Sequence, residues 1–342
     1  MSRYMSLRIA WFLLVSVVAV SLTLGLGSPP VAVADKALIR DSQRLPEPVI
    51  STALSEEIAG KSPYLGGRLN ELRLPDPLAG RARVVWAFRA ASSTSCPRVV
   101  AAFVIWHGFG MLAQTFGFKA LKAKGERVNS APDGLFTALA AANVTGLSAV
   151  AGQHCTLALY PESQFSDYSF NAGQDGAAAC CGQASRSGAK DVQFAAALVE
   201  GLHRFRLPVM TGGFSDGAML SYRLACGFPK LAPLIASDAG TVMIPTCPGG
   251  GHFFALEVHG SSDSFVRITG PPITVNGITL LSLDPVLHSS WRNDVVLHEI
   301  VGLNHIWPRT IRDSTGHILS TNNGPGEDGA QLFENWFLYW HH

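Results

Sequence analysis

The stretch PVMTGGFSDGAMLSYRLAC, residues 208–226, reads as three pieces in a row. A short apolar run ends in paired glycines, Ser215 follows between Gly213 and Gly217, and a helical pattern then begins. An ordinary strand-to-helix turn would use this serine as an N-cap, its hydroxyl accepting from the helix's first amides. The alternative is a sharp turn that presents the serine as a nucleophile, with small residues required on both sides. Gly213 and Gly217 supply that room and Gly212 adds slack, so the nucleophile reading is preferred. Both readings demand a strand followed directly by a helix, and that demand can be tested along the chain.

Outward from this point, apolar strand-like runs alternate with helical patterns. RVVWAF, VVAAFVIWH, CTLALYP, LIASDAG, FFALEVHG and VVLHEIVG have the first character. LFTALAAAN, VQFAAALVEGLHRF and the closing AQLFENWFLYW have the second. Short continuous apolar strands separated by helices predict an α/β domain with a mostly parallel sheet, covered on both faces by helices. Ligands in such sheets bind where loops leave the carboxyl ends of strands, so reactive residues are sought just after each apolar run.

A serine hydroxyl needs a base, and the base needs an orienting carboxylate. In this architecture the chain order is serine, then acid, then histidine. FFALEVHGSSDSF is a strand and then a turn carrying Asp263; VVLHEIVGLNHIWP is a strand and then a loop carrying His305. Asp284 and Asp294 compete for the acid, and His252, His259, His288 and His298 for the base; Asp238, ending its own strand, could lie near the site. His259 and His298 fall inside apparent strands, where packed core histidines are commoner. The oxyanion donors are assigned to the backbone amides of Asp216 and of Phe109, in the loop His107-Gly108-Phe109-Gly110 after FVIW. Trp106, His107 and Trp307 are candidate pocket residues.

These blocks together resemble the secreted α/β-hydrolases that include polyhydroxybutyrate depolymerase-like and feruloyl esterases. The resemblance covers residues 81–310 and rests on GGFSDGAMLSYRLAC, on FNAGQDGAAACCGQA, on LEVHGSSDSFV and on GLNHIWP. Asp216 stands where asparagine is more usual, and Phe170 where tryptophan is. The resemblance implies an α/β-hydrolase fold and a Ser-His-Asp esterase without cofactor or metal, acting on esters of hydroxy acids or aromatic acids. The segment between Asp263 and His305 is short for the family and lacks a Gly-Cys element. No polymer-binding domain follows His305, so soluble oligomers or small esters are the expected substrates. A peptidase on the same fold and a non-catalytic binding protein remain as alternatives.

The chain has 342 residues, 47% hydrophobic and 15% charged, with a net charge of +1. No basic cluster is present, which argues against a nucleic-acid partner. MSRYMSLR, an apolar stretch of 18 residues from Ile9 to Leu26, and Ala32-Val33-Ala34 form a signal-peptide pattern over residues 1–34. Cleavage would leave a secreted or periplasmic protein with no stable membrane association; retention would leave an anchor. Residues 35–80, polar and Pro-punctuated, are expected to be an extended segment with little core, and residues 81–342 to form the catalytic domain. In an oxidising compartment the six cysteines are expected to form disulfides. Cys226 and Cys247 are the preferred pair. Cys96, Cys155, Cys180 and Cys181 have open connectivity, except that the vicinal pair is not expected to close on itself. Asn143-Val144-Thr145 is a glycosylation sequon.

Overall fold

The computed structural model describes residues 48–59, 67, 69–76, 78–90, 96–109, 145–173, 180–244, 247, 252–275, 278–283, 294–308, 310–312, 318–321 and 328–341. The signal pattern, the LFTALAAAN run, Gly110, the first two residues of the sequon, Asp284 and His288 lie outside them.

Eight strands form one sheet. They are β1 (Leu69–Asp76), β2 (Arg81–Phe88), β3 (Ala101–Trp106), β4 (Thr156–Pro161), β5 (Val209–Phe214), β6 (Leu234–Asp238), β7 (Phe254–Gly260) and, after the small hairpin β8 (Ile273–Val275) and β9 (Ile278–Leu280), β10 (Asp294–Ile300). Their order is β1-β2-β4-β3-β5-β6-β7-β10. β1 and β2 run antiparallel to each other and β2 to β4; every pairing from β4 to β10 is parallel. This is the α/β-hydrolase arrangement that the serine turn calls for. β3, β4, β5 and β6 are buried along their whole length, as strands covered on both faces must be.

Alternate residues of the central strands feed two cores. Ala102, Val104 and Trp106 of β3 face one core, which includes α1 (Thr52–Ile58), α4 (Asp191–Arg204) and α5 (Asp216–Gly227). Ala101, Phe103 and Ile105 face the other, closed by α2 (Leu147–Gln153) and the last helix, α6 (Gly329–His341). The remaining elements are α3 (Gly182–Arg186) and the hairpin of β11 (Thr310–Arg312) with β12 (Ile318–Thr321).

The segment 35–80 is not a separate extended piece over its described residues. β1 is the sheet's outer strand, with Asn70, Leu72, Leu74 and Asp76 inward and Glu71, Arg73 and Pro75 outward. A proline is tolerated there because an edge strand's outer N–H has no ladder partner to lose. The fully buried Glu57 of α1 accepts from Asn70 Nδ2 and Arg89 Nε, both at 3.0 Å, and so ties helix to sheet. Arg83 of β2 reaches Asp76 at 2.9 Å and Asp191 of α4 at 2.8 Å, with its guanidinium over the Phe194 ring.

All six cysteines are paired: Cys96 with Cys155, Cys226 with Cys247, and Cys180 with Cys181. The last corrects the expectation for the vicinal pair. A cis peptide joins the two residues and sets their Cα atoms 3.0 Å apart, against about 3.8 Å across a trans bond. Among the described residues no helix is long and apolar enough to cross a membrane.

Candidate active site

Ser215 is the single residue between β5 and α5, and its backbone lies at φ 54°, ψ −116°. A non-glycine residue there is strained, and the neighbours must hold it. Its N–H donates to the Asp238 carbonyl at 2.9 Å, and its own carbonyl accepts from Met219 at 2.9 Å. Tight packing completes the hold: a Cβ on either Gly213 or Gly217 would run into the Trp106 carbonyl. Both glycines are therefore steric necessities. The Ser215 hydroxyl makes no capping bond to the helix, so the N-cap reading fails. It meets His305 Nε2 at 2.8 Å instead.

Asp263 follows β7 and His305 follows β10, two parallel neighbours in register from Asp294 with Phe254 to Ile300 with Gly260. Asp263 Oδ1 accepts the amides of Phe265 at 2.8 Å and Val266 at 2.9 Å, a local turn that fixes the carboxylate. Its Oδ2 accepts from His305 Nδ1 at 2.7 Å. With Nδ1–H so engaged, Nε2 is the acceptor facing the serine hydroxyl. Asn304 Oδ1 accepts the His305 amide at 2.9 Å, and the rings of Phe214 and Phe265 flank the imidazole. Burial works against charge on Asp263, but hydrogen bonds from His259 and His305 prevail and hold its carboxyl well below the usual range.

Among the described competitors none meets the Ser215 hydroxyl. Asp294 starts β10, at the opposite end of the sheet, and pairs with His252 at 3.3 Å. His298 sits in mid-strand on β10. Asp238 lends its carbonyl to Ser215, but its buried carboxyl is pushed toward the neutral form by burial and by Glu257.

The loop after β3 reaches this site from the other side of the sheet's reversal point, where β3 lies between β4 and β5. Gly108 lies against Phe214, since a Cβ there would be 2.8 Å from the ring. His107 Nδ1–H donates to the Gly108 carbonyl at 2.8 Å, and Nε2 accepts from the Ser163 amide at 3.2 Å. Burial lowers the His107 pKa and keeps it in this neutral form. The bond fixes the Gly108–Phe109 peptide, whose planar trans geometry turns the Phe109 N–H away from His107. The Asp216 amide is the first of α5 and has no acceptor within the helix.

Among the described residues the three proposed pocket residues pack into the interior. Trp106 and His107 are fully buried, packed edge-on and tilted against Phe170. Trp307 is buried against Phe333 and donates from Nε1 to the Thr145 carbonyl at 3.2 Å. Large rings flanking a parallel sheet complete its two cores before they can serve a ligand.

Asp216 is wholly buried. Oδ2 accepts the Phe170 amide at 2.7 Å, while Oδ1 lies 3.8 Å from Cys180 Sγ, a disulfide sulfur with no proton to give. The helix N-terminus favours a carboxylate by about 0.3–1 kcal/mol, up to ~2. Leaving a buried charge with one hydrogen bond costs several kcal/mol. Burial wins, and the pKa is raised well above the ordinary aspartate value, with Asp191 and Asp167 adding to the effect. Among the described residues one group of three metal-ligating side chains exists, Cys180, Cys181 and Asp216. Its two sulfurs are bonded to each other, so it offers no thiolate.

Sequence reasoning missed the polar chain behind the triad. Tyr222 O–H donates to Glu257 Oε2 at 3.0 Å, and the Gly240 amide donates to Glu257 Oε1 at 2.9 Å. Glu257 Oε1 also meets His259 Nδ1 at 2.7 Å. His259 Nε2 donates to the Val266 carbonyl at 2.6 Å and lies 3.4 Å from Asp263 Oδ2. The available signal was a glutamate inside the apolar run FFALEVHG, because a glutamate is almost never fully buried unless paired.

No known family's profile matches the chain, and no curated protein does. Solved structures share its outline at low identity. An acetyl xylan esterase from Aspergillus awamori is 12% identical at a TM-score of 0.45, over 80% of this chain and 100% of that one. An S-formylglutathione hydrolase from Agrobacterium tumefaciens is 11% identical at 0.43, over 81% and 95%. A ferulic acid esterase from Anaeromyces mucronatus is 10% identical at 0.41, over 70% and 85%.

Proposed function

We propose that the chain is an exported serine esterase that cleaves carboxylic esters through an acyl-enzyme. The observation that carries the reading is the continuous relay from Ser215 Oγ to His305 Nε2 at 2.8 Å and from His305 Nδ1 to Asp263 Oδ2 at 2.7 Å. It ends on a hydroxyl that does no structural capping.

Ser215 Oγ attacks the ester carbonyl carbon as its proton passes to His305 Nε2, and the carbonyl electron pair becomes an oxyanion. The amides of Asp216 and Phe109 receive that oxygen; each such donor is worth about 3–4 kcal/mol. Asp263 holds the imidazole in the correct tautomer and stabilises the imidazolium. Collapse breaks the bond to the alcohol oxygen, which leaves with the proton from His305. Water then attacks the acyl group, its proton going to His305, and Ser215 regains its hydroxyl as the acid departs. Esters of hydroxy acids, as soluble oligomers, or of ferulic-type aromatic acids are the substrates offered.

Hydrolysis of p-nitrophenyl acetate and butyrate by the mature protein and by Ser215→Ala tests this. Activity abolished in a folded Ser215→Ala protein supports the reading, and equal activity in both overturns it. Hydroxybutyrate oligomers against methyl ferulate then separate the two acyl classes.

A further inference from the structure

The triad's acid is shared. Asp263 Oδ2 faces His305 on one side and His259 on the other, and His259 is itself held by Glu257. The hydrogen bonds define the charge on His259. The Val266 carbonyl can only accept, so Nε2 carries a proton. Both oxygens of Glu257 accept as well, Oε1 from the Gly240 amide and Oε2 from the Tyr222 hydroxyl. A carboxylate accepting all three suits these contacts, with Nδ1 of His259 as the donor across 2.7 Å. With both nitrogens protonated the ring is an imidazolium. All three side chains are fully or almost fully buried.

Resting on the esterase reading above, we propose that His259 is a positioning residue: clamped between Glu257 and Asp263, it holds the Asp263 carboxylate in the orientation that receives His305. The groups facing it are Glu257 on β7, Asp263 and the Val266 carbonyl in the following loop, and Asp238 on β6. Behind Glu257 stands Tyr222 of α5, and beyond Asp263 stands His305. Burial alone would push the His259 imidazole down, but the hydrogen bonds and charges of Asp263 and Glu257 outweigh it and raise it to about 10. Its charge therefore persists through the whole range in which an esterase works.

The consequence for catalysis has a definite sign. Asp263 Oδ2 meets His305 Nδ1 at 2.7 Å while the His259 ring bears on the same oxygen from the other side at 3.4 Å. Without that ring the oxygen that orients His305 loses its second hold, and kcat falls.

The test combines two readouts. Histidine labelled with ¹⁵N in the Ser215→Ala protein should show one imidazole doubly protonated from pH 5 to 9, and that signal should vanish in Ser215→Ala/His259→Gln. In the active protein, His259→Gln should lower kcat severalfold with KM unchanged, because substrate binding does not pass through Asp263. Glu257→Gln keeps the shape and an acceptor but weakens the hold on His259, and should lower kcat in the same way; it carries the test if His259→Gln does not fold. A neutral His259 at pH 7, or an unchanged kcat in folded variants, overturns the proposal while ester hydrolysis stands. No ester hydrolysis by the wild-type protein overturns the esterase reading, and the role of His259 falls with it.

Discussion

Replacing Asp216 by asparagine separates the side chain's packing from its proton. Asparagine has the same shape, and its carbonyl can accept the Phe170 amide as Oδ2 now does at 2.7 Å. Its NH₂ would then face Cys180 Sγ, as Oδ1 now does at 3.8 Å. What changes is linkage. Below the unfolded aspartate's pKa of about 3.9, folded and unfolded chains both hold the proton and the two proteins are equally affected. Above it the unfolded chain releases the proton, while burial keeps it on the folded one. The wild type then loses about 1.4 kcal/mol of stability per pH unit until the folded group ionises. Roughly three units separate that value from pH 7, so Asp216→Asn should gain stability there, up to a ceiling of about 4 kcal/mol. At roughly 2–4 °C per kcal/mol for a chain of this size, calorimetry will resolve the shift. Turnover should hold or rise, since an amide, unlike the acid, cannot ionise beside the forming oxyanion. Equal Tm values at pH 7, or a gap that fails to close by pH 3.5, would refute the argument. A large loss of kcat would show that the acid itself is used.

Asp263→Asn should leave the fold intact and lower kcat by about 10⁴, because the amide stabilises the wrong imidazole tautomer; steady-state kinetics on p-nitrophenyl butyrate check this. Gly217→Ala drives a methyl into the carbonyls of Trp106 and His107, and the displaced turn should cost ~1–3 kcal/mol together with most of the activity. Thermal melts and kinetics on one preparation read both. Arg83→Met strands Asp76 and Asp191 in the interior; a loss of about 3–5 kcal/mol in urea unfolding is expected, with kcat little changed in the protein that stays folded.

What could be read from the sequence was whatever local sterics or strand ends dictate. The two glycines around Ser215 announced a turn that only they permit, and Asp263 and His305 each follow an apolar run at its carboxyl end. The outer strand β1 was hidden because its exposed face carries Glu71, Arg73 and Pro75, so the segment's mean polarity masked an alternation of period two. Trp106, His107 and Trp307 looked like pocket residues because they adjoin catalytic loops in sequence. Their burial depends on Phe170 and Phe333, which come from distant segments. The Tyr222–Glu257–His259 chain joins a helix to a strand. No local pattern announces such a contact, beyond the oddity of one charge in an apolar run.

The histidine hangs from the last strand of the sheet, and β10 is bonded on one side only, to β7. The serine's strained turn is held by bonds within β5, β6 and α5, whereas the loop of the aspartate leans on the end of β10 through Ser261 and Ser262. Serine, acid and base therefore meet only when this outer strand is docked, and they part when it peels away. Catalytic competence is in this sense a report on the edge of the sheet rather than on its centre.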